Sequence, residues 1–179
     1  MTDKQQQYEA FLPQLEGLIE GQTEETSVLA NVTAALHTEF GWFWTGFYLV
    51  REKNPALEKS KSPAHSAGKS PIHTLPESQL ILGPFQGTVA CYTIPFGRGV
   101  CGTAWARKET VLVADVEDFP GHIACSSLSR SEIVVPLFDE NKHTRAVLDI
   151  DSKEIGTFDE TDKKYLESAM QLVAKVLYW

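Results

Sequence analysis

Apolar residues recur at the spacing of an α-helix near both ends of the chain. Residues 8–20 and residues 26–40 each place large apolar side chains three or four positions apart, and a glycine follows directly in both cases, at Gly21 and Gly41. Glycine at that position is a common stop signal, so two helices are predicted here. Because proline disrupts a helix interior, the first helix is predicted either to bend at Pro13 or to begin there.

The widest apolar stripe lies near the C-terminus. Apolar side chains from Leu166 to Leu177 cover a broad face, which is typical of a helix packed on a sheet or on a partner helix. Asp159 is the predicted N-cap of this helix, since its carboxylate can accept hydrogen bonds from free backbone N–H groups. By the same reasoning, Thr23 or Thr26 is the predicted N-cap of the second helix.

Between the helices, the chain has the alternation and the β-branched and aromatic content of β-strands. The predicted strands cover residues 42–50, 80–85, 89–94, 110–113, 133–138 and 145–150. Residues 100–107 follow a glycine-rich turn and are predicted to form a short helix. This order of elements predicts an α/β (α+β) layer fold, with a mainly antiparallel central sheet and the N- and C-terminal helices packed on one of its faces.

Residues 51–79 differ in kind from the rest of the chain. This stretch holds four prolines, five serines and four lysines, with few large apolar side chains. It is predicted to be a mobile surface insertion, at about residues 52–79, that joins two strands at a hairpin tip. The alternative is a docking site for a partner.

The composition fits one domain of 179 residues, with 42% hydrophobic residues and a formal net charge of −8. This charge argues against a nucleic-acid partner, which needs clustered positive charge, and against an anionic membrane surface. No apolar run approaches the roughly 20 residues that a membrane span needs. The first residues lack the apolar core of a signal peptide, so a cytoplasmic protein is expected.

Three cysteines, Cys91, Cys101 and Cys125, lie in the central part of the chain. In a reducing compartment this odd number suggests thiols or a catalytic pair rather than structural disulfides. Their spacings match no zinc site, and no metal is predicted, although His122 leaves a scattered site open. Cys125 is the best candidate for a reactive thiolate, because the serine-rich run after it suits a helix N-terminus or a nest of N–H groups; Arg130 or His122 could act likewise. The alternative is a buried, inert cysteine.

Three carboxylates accompany the thiols. Asp149 and Asp151 are two positions apart in a predicted strand and therefore point to the same face, and Glu132 begins the preceding strand. Such acids can bind a cation or a substrate ammonium, can share a proton, or can be solvated at strand ends. Residues 97–102 match G-x-G-x-x-G but lack the strand and acidic residue of a dinucleotide site, so no cofactor is predicted.

The blocks LILGPFQGTVACYTIPFGRGVCGTA, VADVEDFPGHIACSS, SEIVVPL and VLDIDS closely resemble those of the free methionine-R-sulfoxide reductases, which are small GAF-domain enzymes. The resemblance covers nearly the whole chain except the insertion. It implies one GAF-like domain over residues 1–179, a homodimer, and an enzyme that reduces free L-methionine (R)-S-oxide without a cofactor. It also implies that thioredoxin recycles the thiols. The alternative is a non-catalytic GAF module that binds a small ligand or senses redox state.

The resemblance also implies roles for single residues. Cys125 matches the attacking thiol and Cys91 the resolving thiol, while Cys101 is the third family cysteine. The aromatic positions that form the pocket for the S-methyl group match Trp44 and Tyr48. The acidic positions that hold the polar end of the substrate and deliver a proton match Glu132, Asp149 and Asp151. Ser126 stands where the family usually has aspartate.

Overall fold

The computed structural model describes residues 2–53 and 77–179. The described strands are β1 Trp44–Glu52, β2 Ser78–Gln86, β3 Thr93–Ile94, β4 Val111–Val113, β5 Ser131–Phe138 and β6 Thr144–Ser152. The helices are α1 Asp3–Ile19, α2 Glu25–Phe40, α3 Gly99–Arg107 and α4 Glu160–Val176, with a 3₁₀ turn at Val116–Asp118. The strands form one six-stranded sheet in the order β3-β2-β1-β6-β5-β4, and every neighbouring pair is antiparallel. The predicted sheet is therefore confirmed.

Helices α1, α2 and α4 cover one face of the sheet, as the apolar stripes predict. Phe47, Leu148 and Ile150 point from the central strands into this layer and are completely buried. Helices from opposite ends of the sequence meet in this layer: the hydroxyl of Tyr8 in α1 donates a hydrogen bond to Asp162 Oδ1 in α4 at 2.8 Å. This buried contact fixes the first helix to the last one.

The helix ends follow the predicted stop signals better than the predicted start signals. α1 runs through Pro13 and starts at Asp3, so the prediction that it begins at the proline is wrong. For α2, the N-cap is Glu24, whose carboxylate accepts from Ser27 N at 2.7 Å, and the predicted threonine caps are wrong. Gly41 ends α2 in the left-handed conformation, with φ of 66°, and Asp159 caps α4 as predicted.

The second face of the sheet is covered by α3 and by the irregular segments around it. Val100 and Trp105 of α3 pack with Val134 and Val147 of β5 and β6. α3 lies so close to the preceding turn that a Cβ on Gly102 would be 2.5 Å from the carbonyl oxygen of Pro95. Because both faces of the central strands are covered, both alternating sets of side chains in β1 are buried from Trp44 to Tyr48.

The hairpin formed by β1 and β2 is longer than predicted. The two strands remain paired as far as Glu52 and Ser78, and beyond them Lys53 N donates to the carbonyl of Glu77 at 2.7 Å. The ends of the predicted insertion therefore belong to the sheet, while residues 54–76 lie outside the described residues. Among the helices that the structure describes, none has the length and apolar character to cross a membrane.

Candidate active site

A small pocket opens on the face of the sheet that α3 covers. Seven of the eight predicted site residues line it, contributed by β1, α3, β5, β6 and the loop before β5: Trp44, Tyr48, Cys101, Cys125, Glu132, Asp149 and Asp151. The eighth, Cys91, is joined to Cys125 by a disulfide bond. The fold thus brings together side chains that are more than one hundred positions apart in the sequence.

Strand pairing places the three carboxyl groups beside one another. Glu132 of β5 lies directly opposite Asp151 of β6, and Asp149 follows two residues along the same face. On the other side of β6, Trp44 pairs with Asp151. Glu132 is 6% exposed and Asp149 is 7% exposed. The alternative of solvated strand-end acids is therefore wrong for these two residues.

Burial and mutual repulsion keep protons on this group of acids. Burial, followed by the charge of Asp151, raises the pKa of Glu132 well above its usual range. The pKa of Asp149 is also raised well above its usual range, by burial and then by Glu132 and Asp151. Burial raises the pKa of Asp151 to about 6, while a hydrogen bond with Ser129 and the nearby His122 oppose that shift. The pocket can therefore supply a proton at neutral pH.

Cys101 is the free thiol of the site and lies in the first turn of α3, 3% exposed. Its Sγ is 4.0 Å from Glu132 Oε1. Burial, then the charges of Asp149 and Glu132, raises its pKa well above the usual range. A thiol must ionise to attack, so these surroundings make Cys101 a weak nucleophile.

Within residues 2–53 and 77–179, one group of side chains could hold a metal ion. Cys101, Glu132 and Asp149 each place one donor atom so that the three lie within 4.8 Å of one another. A mixed thiol and carboxylate set of this kind suits zinc-like ions. The prediction that the protein uses no metal stays a prediction.

The disulfide joins two irregular segments across the mouth of the pocket. The Cα atoms of Cys91 and Cys125 are 5.4 Å apart. Cys91 lies just before β3, so the strand predicted over residues 89–94 is wrong at this position. Cys125 lies in a loop, so the prediction of a helix N-terminus is wrong, while the alternative of a nest of N–H groups stays a prediction. The hydroxyl of Tyr48 donates to the carbonyl of Cys91 at 3.1 Å and is 4.0 Å from Cys125 Sγ. Tyr48 therefore holds both cysteines close to the sheet.

The aromatic wall of the pocket depends on a glycine that sequence reasoning missed. The ring centroids of Trp44 and Tyr48 are 6.1 Å apart, and those of Trp44 and Phe85 are 5.5 Å apart. Gly46 lies between these aromatic residues, and a Cβ there would be 2.5 Å from Phe85 Cβ and would also overlap the indole ring. The indole N–H donates to the carbonyl of Thr88 at 2.9 Å, which fixes the ring in place.

Polar neighbours complete the site. His122 Nε2 lies 3.6 Å from Glu132 Oε2, so this histidine faces the acids. Arg130 pairs with Asp115 at 3.3 Å, so its charge is directed to that carboxylate. Ser126 Oγ accepts a hydrogen bond from Leu128 N at 3.2 Å and stabilises the local turn. The sequence signal for the place of His122 in the site was its position three residues before Cys125.

Comparisons with known proteins agree with this geometry. A family model described as "GAF domain" matches residues 22–177. The "GAF domain-containing protein A" of Dictyostelium discoideum is 48% identical, over 95% of this chain and 92% of its own length. A relative from Escherichia coli (strain K12), named "Free methionine-R-sulfoxide reductase", is 40% identical over 89% of this chain and 82% of its own length. The chain belongs to the GAF-domain family of free methionine-R-sulfoxide reductases.

A solved structure of a free methionine-R-sulfoxide reductase supports the same assignment. The enzyme from Neisseria meningitidis, in complex with its substrate, is 45% identical to this chain and superposes with a TM-score of 0.81. The match covers 99% of this chain and 92% of that one. The family membership therefore extends to the fold of the whole described chain.

The raised pKa of Asp151 predicts how stability depends on pH. The folded state holds a proton on this group up to about pH 6, whereas the unfolded chain releases it near pH 4, so stability falls as pH rises between those values. We expect Asp151→Asn to lessen this fall, which Glu132 and Asp149 still contribute to through their own raised pKa values, and to be about 1–3 kcal/mol more stable than the native chain at pH 8. Urea unfolding at pH 4, 6 and 8 measures the free energy of unfolding of both proteins.

The matched control for this experiment is Asp118→Asn, which changes an exposed aspartate of the 3₁₀ turn. It should leave the pH dependence of stability as it is in the native chain. A free energy of unfolding that rises in parallel from pH 4 to pH 8 for the native chain and for Asp151→Asn would contradict the assignment of a buried, proton-holding carboxyl group.

Proposed function

We propose that this chain is a thiol oxidoreductase that reduces free L-methionine (R)-S-oxide to L-methionine. The observation that carries the proposal is the Cys91–Cys125 disulfide at the mouth of a pocket lined by buried acids. A pair of cysteines that can form a disulfide can supply two electrons, and protonated acids can supply the proton that a leaving oxygen needs. The named relatives from Escherichia coli and Saccharomyces cerevisiae carry the same activity in their names.

In the proposed reaction, Cys125 is the attacking residue. Its thiolate attacks the sulfoxide sulfur while an acid, Glu132 or Asp151, protonates the sulfoxide oxygen. Methionine leaves, and the oxygen remains on Cys125 as a sulfenic acid. The thiolate of Cys91 then displaces that oxygen as water and forms the disulfide. The disulfide supports this second step, because its Cα separation of 5.4 Å is ordinary for a protein disulfide and the fold therefore accommodates the bond.

The proposed specificity for the free amino acid comes from the acids. An ammonium group that enters a pocket of low dielectric is stabilised by Asp149, which ionises as it binds. Asp149 Oδ1 is buried and has no hydrogen-bond partner among the described residues, so it is open to such a contact. The aromatic wall of Trp44 and Tyr48 suits the S-methyl group. A peptide-linked sulfoxide has no ammonium to offer.

We propose thioredoxin as the physiological reductant and the cytoplasm as the compartment. The disulfide must be reduced after each turnover, which requires an external dithiol of lower potential. Reducing compartments maintain such dithiols. Recovery of the chain in its disulfide form from rapidly acid-quenched, unstressed cells would contradict this placement.

The substrate proposal predicts a strong preference between close analogues. With dithiothreitol as reductant, we expect turnover of free L-methionine (R)-S-oxide, and at least about thirtyfold slower turnover of the S epimer and of the N-acetylated R sulfoxide. The reason is that the N-acetyl compound leaves the buried acids without a cation. Methionine release is measured by chromatography with each sulfoxide at equal concentration.

Equal rates with free and N-acetylated substrate would contradict recognition of the ammonium. If no sulfoxide were reduced while dilute peroxide still formed the disulfide, the chain would instead be a redox-sensing GAF module. The disulfide itself is the observation that favours this second function.

The cysteine roles predict three distinct variants. Cys125→Ser should release no methionine even in a single turnover. Cys91→Ser should release one equivalent and leave a sulfenic acid on Cys125 that dimedone labels, since no resolving thiol is present. Cys101→Ser should be affected least, because the raised pKa of its thiol keeps it protonated. Rapid-quench assays and mass spectrometry measure all three. Full single-turnover release by Cys125→Ser, with none by Cys101→Ser, would reverse the assignment.

We also propose that the protein is a homodimer. Apolar side chains remain on the outer sides of α1 and α4 after the core is complete: Leu12 and Leu172 are half-buried, and Leu18 is 44% exposed. Light scattering at micromolar concentration should give twice the mass of the chain, and Leu18→Glu with Leu172→Glu should give a single chain. Ile155→Glu is the matched control, because Ile155 is exposed but lies outside these helices. A native protein of single-chain mass would contradict the proposal.

A further inference from the structure

Exposed apolar side chains gather around the disulfide. Among the described residues, six large apolar side chains are exposed, and three of them flank the two bonded cysteines. Val89 is 86% exposed and Tyr92 is 83% exposed, on either side of Cys91, and Leu128 is 52% exposed, three residues after Cys125. Because adjacent Cα atoms are about 3.8 Å apart, each of the three lies within about 11 Å of its nearer cysteine.

The site just described gives Tyr92 and Leu128 no function, whereas Val89 also lines the pocket. Tyr92 and Leu128 do not line the pocket that the described residues form, and their exposure leaves them outside the apolar core. Large apolar groups exposed to water around one disulfide are a common mark of a surface that binds another protein. Tyrosine in particular is enriched where one partner buries an aromatic ring against another.

The two sulfurs of the disulfide are not equivalent. Cys125 lines the pocket, whereas Cys91 is not among the described residues that line it. The hydroxyl of Tyr48 is 4.0 Å from Cys125 Sγ, so its proton can turn from the Cys91 carbonyl to a thiolate that forms on Cys125. In thiol–disulfide exchange the attacked sulfur faces the incoming thiol, and the sulfur that leaves should be the better stabilised thiolate. Both cysteines are half-buried. The assignment of Cys91 as the attacked sulfur and Cys125 as the one released therefore rests on the better stabilisation of a thiolate at Cys125.

We propose that the apolar collar, defined as Val89, Tyr92 and Leu128, is the docking surface for a thioredoxin-type dithiol protein whose thiolate attacks Cys91. This inference rests on the proposed function, because it concerns the reduction of the same disulfide. The first thiolate of the partner forms a mixed disulfide with Cys91 and releases the Cys125 thiolate. The second thiol of the partner then attacks its own sulfur in that mixed disulfide, which releases the Cys91 thiolate. The partner leaves as a disulfide, and two electrons have passed to this chain.

The test compares a protein reductant with a small one. The isolated disulfide form is reduced either by thioredoxin or by dithiothreitol, and released thiols are counted by alkylation and mass spectrometry, with no sulfoxide present. Tyr92→Ser and Leu128→Ser should each slow reduction by thioredoxin about tenfold, since they remove contacts of the size that dominates interfaces. Reduction by dithiothreitol should not change, because a small thiol needs no collar.

The matched control is Tyr178→Ser, which removes a tyrosine of equal exposure, 83%, just after α4 on the other side of the sheet. It should be reduced by thioredoxin at the native rate. Equal slowing of Tyr92→Ser and Tyr178→Ser, or equal slowing with both reductants, would overturn the docking surface. Because no sulfoxide is used, these outcomes are independent of whether the chain reduces methionine sulfoxide.

A second measurement tests the attacked sulfur. A thioredoxin in which the second cysteine is replaced by serine cannot release itself and remains bound as a mixed disulfide. Peptide mapping of the trapped complex should find the partner on Cys91. A partner found on Cys125 would overturn the assignment of the attacked sulfur.

Discussion

The burial of β6 on both faces is the constraint on which the site depends. This strand lies between β1 and β5, so its backbone is hydrogen-bonded on both edges and its side chains are held on the two covered faces of the sheet. Leu148 and Ile150 face the layer of α1, α2 and α4, which leaves Asp149 and Asp151 directed into the pocket. Holding acids there opposes folding, because burial favours their neutral forms. The large apolar layer on the opposite face offsets this cost, as is common for functional sites.

Regular periodicity made the framework predictable. The stripes of α2 and α4, the continuous apolar run of β5 and the alternation at the end of β6 reflect packing that repeats along each element. The i, i+2 spacing of Asp149 and Asp151 correctly predicted a shared face. The start of α1 was also readable, because Thr2 and Gln5 form a capping box at the required spacing. The error at Pro13 came from giving the proline more weight than the cap.

The parts of the site that sequence could not predict are those that tertiary contacts decide. The segments around Cys91 and Cys125 have no repeating pattern, so neither a strand nor a helix could be assigned correctly there. Strand register, which is invisible in one sequence, places Glu132 opposite Asp151. Gly46 carries no chemical group, and its value lies in the space that it leaves for the indole ring of Trp44. The family resemblance predicted which residues belong to the site, whereas their burial is visible only in the fold.

The long β1–β2 hairpin has a practical consequence for labelling the protein. Thr45, next to Trp44, pairs with Gln86 at one end of the hairpin, whereas Lys53 N donates to the carbonyl of Glu77 at the other end. With a rise of about 3.3 Å per residue, the five residues from Tyr48 to Lys53 separate that end from the aromatic wall by roughly 16 Å. A fluorescent reporter or an affinity handle inserted between Lys53 and Glu77 would therefore begin away from the disulfide. The stretch between these two residues therefore suits fusions that must leave the thiols accessible.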